Sequence, residues 1–149
     1  MRLPCPKRET AMPAKDAYHD AVKNALIKDG WTITFDPYLI RYAEVKLVAD
    51  LAGEKSIAAT KGNRQIVIEV KSFIGRSPMR EFETALGQYL IYRTFLSLNC
   101  PESTVYLAVG QSIDERFFKQ AAIQLILQKF QVLLLVVDIK NEEVSEWTS

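Results

Sequence analysis

The sequence predicts an α/β domain in which helices flank a mixed central sheet. Three observations carry that expectation. Helical and strand periodicities alternate along the chain. A glycine-centred turn joins two neighbouring extended stretches as a hairpin. The C-terminal third reads strand, helix, strand, which favours parallel pairing through a right-handed crossover. The 149 residues suit one domain, since a chain of this size buries roughly 70% of its unfolded surface.

Residues 1–13, with Pro4, Pro6 and Pro13 and no apolar period, read as a flexible arm, and Met12 is an alternative start. Residues 14–149 then form the single domain. From Ala14 to Asp29, the residues Ala17, Ala21, Val22, Ala25 and Leu26 recur at helical spacing; Asp16, Asp20, Lys23 and Lys28 take the other side and Gly30 supplies the stop. Trp31 to Phe35 alternates bulky and polar residues as a half-buried strand does, and Asp36-Pro37 is expected to end it. A second extended stretch runs from about Glu44 to Thr60 and a third from Arg64 to Phe73, with Lys61-Gly62-Asn63 as the turn between them. In the third, Ile66, Ile68 and Val70 point one way and Gln65, Val67, Glu69 and Lys71 the other, because strand side chains alternate.

Ser77-Pro78 opens a helix, as a capping residue followed by Pro at the first helical position. Phe82, Ala85, Leu86, Tyr89, Leu90, Arg93 and Leu96 mark its core stripe. Val105 to Val109 reads as a buried strand. Ser112 with Glu115 forms a capping box for a helix from Ile113 or Asp114 to about Phe130, and Val132 to Ile139 is a strand buried on both faces. The expected order is α-β-β-β-α-β-α-β. Apolar residues surround much of the Phe117–Phe130 stretch, which predicts a covering partner or a homodimer.

Hydrophobic residues make up 48% and charged residues 25% of the chain, a globular composition that excludes disordered and fibrous classes. A net charge of +1 speaks against a polybasic nucleic-acid binder, but the charge divides unevenly: residues 1–80 carry +5 and residues 81–149 carry −4. Cys5 and Cys100 are the only cysteines, and there is neither a secretory segment nor an apolar run long enough for a membrane span, so a cytoplasmic protein with reduced thiols is expected. His19 is the single histidine, too few ligands for structural zinc. Its expected place is the surface of the first helix. No Gly-x-Ser-x-Gly elbow, Gly-x-Gly-x-x-Gly fingerprint or phosphate-binding Gly-Lys-Ser/Thr loop is present.

The hairpin concentrates the chemistry. Opposing Thr60 to Arg64 sets Asp50 opposite about residue 74. A bulge near Gly53 then brings Asp50 within a residue or two of Glu69 and Lys71. Two carboxylates converging beside an ammonium call for compensation, which a hard divalent cation provides. The chemistry expected is metal-assisted phosphodiester hydrolysis. Asp50, Glu69 and the Val70 carbonyl hold Mg²⁺ (or Mn²⁺), and Lys71 positions water or stabilises charge developing on the phosphate.

Asp50, then Glu69-Val70-Lys71 ending the next strand, between an N-terminal helix and a helix carrying Gln88-x-x-x-Tyr92, resembles the PD-(D/E)XK nuclease superfamily with its restriction-endonuclease-like core. More closely, Asp16-Ala-Tyr-His-Asp20, Asp29-Gly-Trp31, Ile68-Glu-Val-Lys-Ser-Phe73, Ala85-Leu-Gly-Gln-Tyr89 and Val105-Tyr-Leu-Ala-Val109 resemble the XisH family of fdxN element excision controlling factors of cyanobacteria. That resemblance runs from about Met12 to Trp147. It implies an accessory role in excising a DNA element during differentiation of nitrogen-fixing cells, beside a separate site-specific recombinase and a small XisI-family partner. It also implies metal ligation by Asp50 and Glu69, a catalytic Lys71, and a helix-one acid best matched by Asp20, with Asp16 or His19 as alternatives. Ala49 stands where the superfamily pattern has Pro.

Gln88 and Tyr92, one helical turn apart, either reach a bound DNA or pack the helix on the sheet. Lys61, Arg64, Arg76 and Arg80 are read as flanking the site, either as phosphate contacts or as a solvated rim. Two functions follow: a Mg²⁺-dependent endonuclease, or a non-catalytic regulator that keeps the nuclease fold and binds DNA or a partner protein.

Overall fold

The computed structural model describes residues 17–38, 41–42, 45–46 and 56–148. The arm at 1–13, Asp16, Asp50 and the bulge expected near Gly53 lie outside the described residues. Helix α1 (Ala17–Lys28) leads through Gly30, at φ 95°, into strand β1 (Thr32–Tyr38). A two-stranded ribbon, β2 (Arg41–Tyr42) and β3 (Val45–Lys46), precedes the hairpin β4 (Ser56–Lys61) and β5 (Arg64–Val70). Then come α2 (Pro78–Asn99), β6 (Ser103–Gly110), a short α3 (Gln111–Ile113) running into a π-helical turn at Asp114–Phe118, α4 (Ala121–Lys129), β7 (Leu134–Asp138) and β8 (Glu143–Trp147).

One six-stranded mixed sheet, in the order β1-β4-β5-β6-β7-β8, carries the fold. Strands β5, β6 and β7 are mutually parallel and the others antiparallel to their neighbours. The expected strand–helix–strand unit is therefore present. Alternation along β5 divides the core as expected. Ile66, Ile68 and Val70 meet Val22, Ala25 and Leu26 of α1 on one face. Val67 joins Phe82, Ala85 and Tyr89 of α2 on the other.

Four local expectations are corrected. The hairpin turns on two residues, with Lys61 paired to Arg64 and Thr60 to Gln65, one residue away from the expected register; Gly62 supplies the left-handed φ of 61° that the tighter turn needs. Asp36-Pro37 does not end β1, which continues to Tyr38 with two register shifts. Strand β1 is at the sheet edge, where a residue without an N–H is tolerated. The helix expected over Ile113–Phe130 is broken: Lys119 N–H donates to Asp114 O across a π turn, and extended Gln120 (ψ 139°) restarts it. Ser112 lies inside α3, and Gly110 occupies the capping position without a side-chain bond. The break lets Phe117 and Phe118 enter the core together, packed on Phe73 and Phe82, while α4 turns Ile123 and Leu127 inward. Finally, β8 pairs with β7 where no strand is expected, because only Val144 and Trp147 of its five residues are half-buried and the apolar signal is thin.

Cys100, fully buried beyond α2, is bonded in a disulfide, which corrects the expectation of reduced thiols. Cys5 lies outside the described residues. No helix among the described residues is long and apolar enough to cross a membrane.

Candidate functional site

The C-terminal end of β5 gathers the ionisable groups the sequence points to. Glu69 is 3% exposed and Lys71 6%. Both continue the Val67 side of the strand, and the Lys71 N–H donates to Ala108 O, which prolongs the parallel pairing with β6. Ser56 stands directly across from Glu69, and Tyr38 across from Ser56, so three buried polar side chains share that face on neighbouring strands. Burial pushes the Tyr38 hydroxyl up to about 12, which keeps it a neutral donor at neutral pH. Two residues past Lys71, Phe73 adopts a left-handed φ of 56° and is clamped by Phe117 and Phe118. A bulky residue in that region is held by its surroundings, and here the clamp fixes the path of the backbone that carries Lys71.

Helix α1 and strand β1 frame the same end from the other face. Helix α1 runs antiparallel to β1, so its first turn meets the end of β1: His19 Nε2 lies 2.5 Å from Asp36 Oδ1, and Lys23 Nζ 2.9 Å from Asp36 Oδ2. His19 is 5% exposed, which corrects the expectation of a surface histidine. Burial alone would raise Asp36, but the hydrogen bonds and charges of His19 and Lys23 override it and hold the carboxyl far below the usual carboxylate range. Tyr18 lies against Gly110 at the end of β6, where a Cβ would come within 3.2 Å of the tyrosine ring. Asp20, in the next position of that turn, is half-buried.

The remaining predicted residues divide between the two ends of the sheet. Arg76 and Arg80 are exposed in the loop and first turn of α2, on the Glu69 side. Lys61 and Arg64 close the opposite end of the hairpin, five residues along the strand from Glu69, which is about 16 Å. They do not flank it: both cations lie over the Trp31 ring, and Lys61 also donates to Asp29 O. Gln88 and Tyr92 are half-buried on α2; Tyr92 packs against the core, and the Gln88 Oε1 is buried with no hydrogen-bond partner among the described residues. Asp50 lies outside the described residues.

A cavity of about 880 Å³ opens at the opposite end, lined by Tyr89, Arg93, Asp114, Lys119, Gln124 and Glu146 among others. Its polar groups close backbone. The Tyr89 hydroxyl donates to Val105 O and accepts from Leu133 N–H, and Arg93 donates to Phe130 O and Gln131 O. Burial raises Asp114, opposed by Lys119 at 3.5 Å.

Sequence reasoning missed Lys23, Asp36, Tyr38 and Ser56. In the sequence Asp36-Pro37 reads as a strand breaker, and the partners of Asp36 become visible only once α1 folds back on β1. A family model described as XisH protein matches residues 12–145. The chain belongs to the XisH family. Two solved relatives share its fold. A crystal structure of an XisH family protein from Nostoc punctiforme PCC 73102 is 38% identical, with a TM-score of 0.83 over 90% of this chain and 100% of that one. The crystal structure of an fdxN element excision controlling factor protein from Anabaena variabilis is 39% identical, with a TM-score of 0.83 over 91% and 100%. No curated protein matches. Within the matched residues, Ile68-Glu-Val-Lys-Ser-Phe73 spans the end of β5 and the clamped turn that follows it.

Proposed function

We propose that this XisH chain is an accessory factor in the excision of a DNA element by site-specific recombination, and that it acts on DNA as a metal-dependent endonuclease of the PD-(D/E)XK type. One observation carries the reading: Glu69 and Lys71, two residues apart on the same side of a central strand, are both buried at the sheet end. Taking a carboxylate and an ammonium out of water is costly, and nearby apolar residues of equal volume would stabilise the fold as well or better. A functional requirement accounts for keeping both.

The donor chemistry suits a hard cation. Glu69 offers carboxylate oxygens with the Ser56 hydroxyl across from it, and Gln88 adds an amide oxygen that lacks a donor among the described residues. No group of three His, Cys, Asp or Glu residues forms among the described residues. In this reading Asp50 is the second acid, as the resemblance implies, and Asp50 with Glu69 would hold Mg²⁺ or Mn²⁺. Such an ion supplies Lewis-acid polarisation of a phosphate and a water of lowered pKa. Lys71 places its ammonium where charge develops on the phosphate oxygens. Asp20 reaches the same end from α1, Gln88 orients the substrate from α2, and Tyr92 packs the helix that carries it. Arg76 and Arg80 meet phosphates, whereas Lys61 and Arg64 secure Trp31. The exposed Leu125 (66%) and Phe130 (37%) of α4 and its end support a covering surface for a second copy or the XisI-family partner.

The test is hydrolysis of nicked, branched and linear DNA by purified protein with Mg²⁺, compared with Glu69→Gln, Lys71→Ala and Asp50→Asn. Cleavage lost in all three supports the reading. An uncut panel, together with unimpaired excision in cells carrying Glu69→Gln, transfers the function to a non-catalytic regulator.

A further inference from the structure

We infer that Ile74 is a wedge that inserts between base steps of a DNA duplex, with Arg76 and Arg80 anchoring the phosphates beside it. The inference rests on the reading of this chain as a DNA-acting protein and adds how the duplex is engaged. Ile74 is 79% exposed, the most exposed large hydrophobic side chain among the described residues, and Met79 nearby is 44% exposed. Single exposed apolar residues are ordinary on protein surfaces. The construction beneath this one is not.

Before it, Phe73 is held at φ 56° by Phe117 and Phe118, and the chain turns outward at Ile74, after buried Ser72 and Phe73. After it, Gly75 donates its N–H to Glu81 Oε1 at 2.9 Å, and a Cβ at Gly75 would come within 2.5 Å of that oxygen. The next residues enter α2, whose first turn is closed by Ser77 Oγ accepting from Arg80 N–H. Ile74 therefore stands on a short protrusion fixed at both ends. A protrusion that is rigid, apolar at its tip and basic at its base matches a duplex, whose stacked bases accept an apolar wedge and whose phosphates accept guanidinium groups. Its place, three residues beyond Lys71 along the chain, sets any step it opens beside the end of β5.

The experiment uses the full chain with Ca²⁺ in place of Mg²⁺, a short mixed-sequence duplex bearing 2-aminopurine at a central TA step, and thermal unfolding to confirm that each variant folds. Wild type is expected to bind and to raise the 2-aminopurine emission severalfold as the base unstacks. Ile74→Ala is expected to bind within about threefold of wild type but leave emission at the free-duplex level, because phosphate contacts dominate affinity. Arg76→Ala with Arg80→Ala should weaken binding about tenfold or more and reduce the slope of log K against log salt by about 2, with emission at saturation retained. Emission that still rises in Ile74→Ala, or a wild-type chain that binds anionic vesicles and no DNA, overturns the wedge. Loss of cleavage chemistry does not enter these readouts: unstacking without hydrolysis in Mg²⁺ would remove the nuclease reading and keep the wedge, and hydrolysis without unstacking would do the reverse.

Discussion

The two ends of the parallel strands use polar groups in opposite ways. At the start of β6 and β7, Tyr89 bridges Val105 O and Leu133 N–H, Arg93 takes two carbonyls beyond α4, and Thr148 Oγ1 accepts from Leu134 N–H. Each of these side chains answers a backbone group that the end of a strand or helix leaves open, so their work is accounted for by structure. At the other end, among the described residues, buried ionisable groups gather: Glu69 and Lys71 on one face, His19 and Asp36 with half-buried Lys23 on the other, against Asp114 alone at the first end. Charges are an expensive way to close a fold. Their concentration at one end is the observation on which the proposed function rests.

The sharpest way to break this comparison is Glu69→Gln. Cleavage of DNA should fall by about 10³-fold, the order expected when charge stabilisation at a reacting phosphate is removed, while chemical denaturation shows equal or greater stability. A stability loss with no change in cleavage would make Glu69 structural. Tyr89→Phe should behave in the opposite sense, costing about 1–3 kcal/mol because a buried N–H loses its acceptor and a carbonyl its donor, with cleavage unchanged at a temperature where the protein is folded.

The Asp36 cluster sharpens the contrast through pH. A carboxyl held below its unfolded value contributes stability that is complete above roughly pH 5 and lost as pH falls through and below about 4. Melting temperatures should therefore drop more steeply with acid in the wild type than in Asp36→Asn, and the two curves should converge at low pH. The smallest effect belongs to Ser77→Ala. It removes the cap from α2 for about 1 kcal/mol, and because that cap also seats the loop after Lys71, DNA affinity measured by anisotropy should weaken with it.

What could be read in advance follows from whether the signal was local. The alternation of β5 was legible because its two faces are both defined, one by Ile66, Ile68 and Val70, the other by Val67 and two charges. Ser77-Pro78 was legible because capping is decided within four residues. Pro37 misled, since its permission to remain in a strand comes from β1 being an edge, a property of the whole sheet. The break before α4 was invisible for the same reason: Phe117 and Phe118 are drawn inward together by Phe73 and Phe82, residues from other elements. That Glu69 and Lys71 share a face was legible from their spacing, whereas their burial depends on the elements packed over them. The place of His19 was not legible, because its partner lies 17 residues away across a turn.

The first helix lies against the last strand of the sheet. The Trp31 and Trp147 rings meet at 5.8 Å, tilted by 45°, and both indole N–H groups donate to Asp29 Oδ2, while Lys28 reaches Asn141 O. A residue pair separated by 118 positions closes the fold. On a ribosome, α1 emerges long before β8 exists, so its apolar stripe of Val22, Ala25 and Leu26 has no complete surface to dock on until synthesis has nearly reached Trp147. For that interval the nascent chain presents an apolar helix face without its full partner surface, the kind of exposure that makes incomplete chains prone to aggregate.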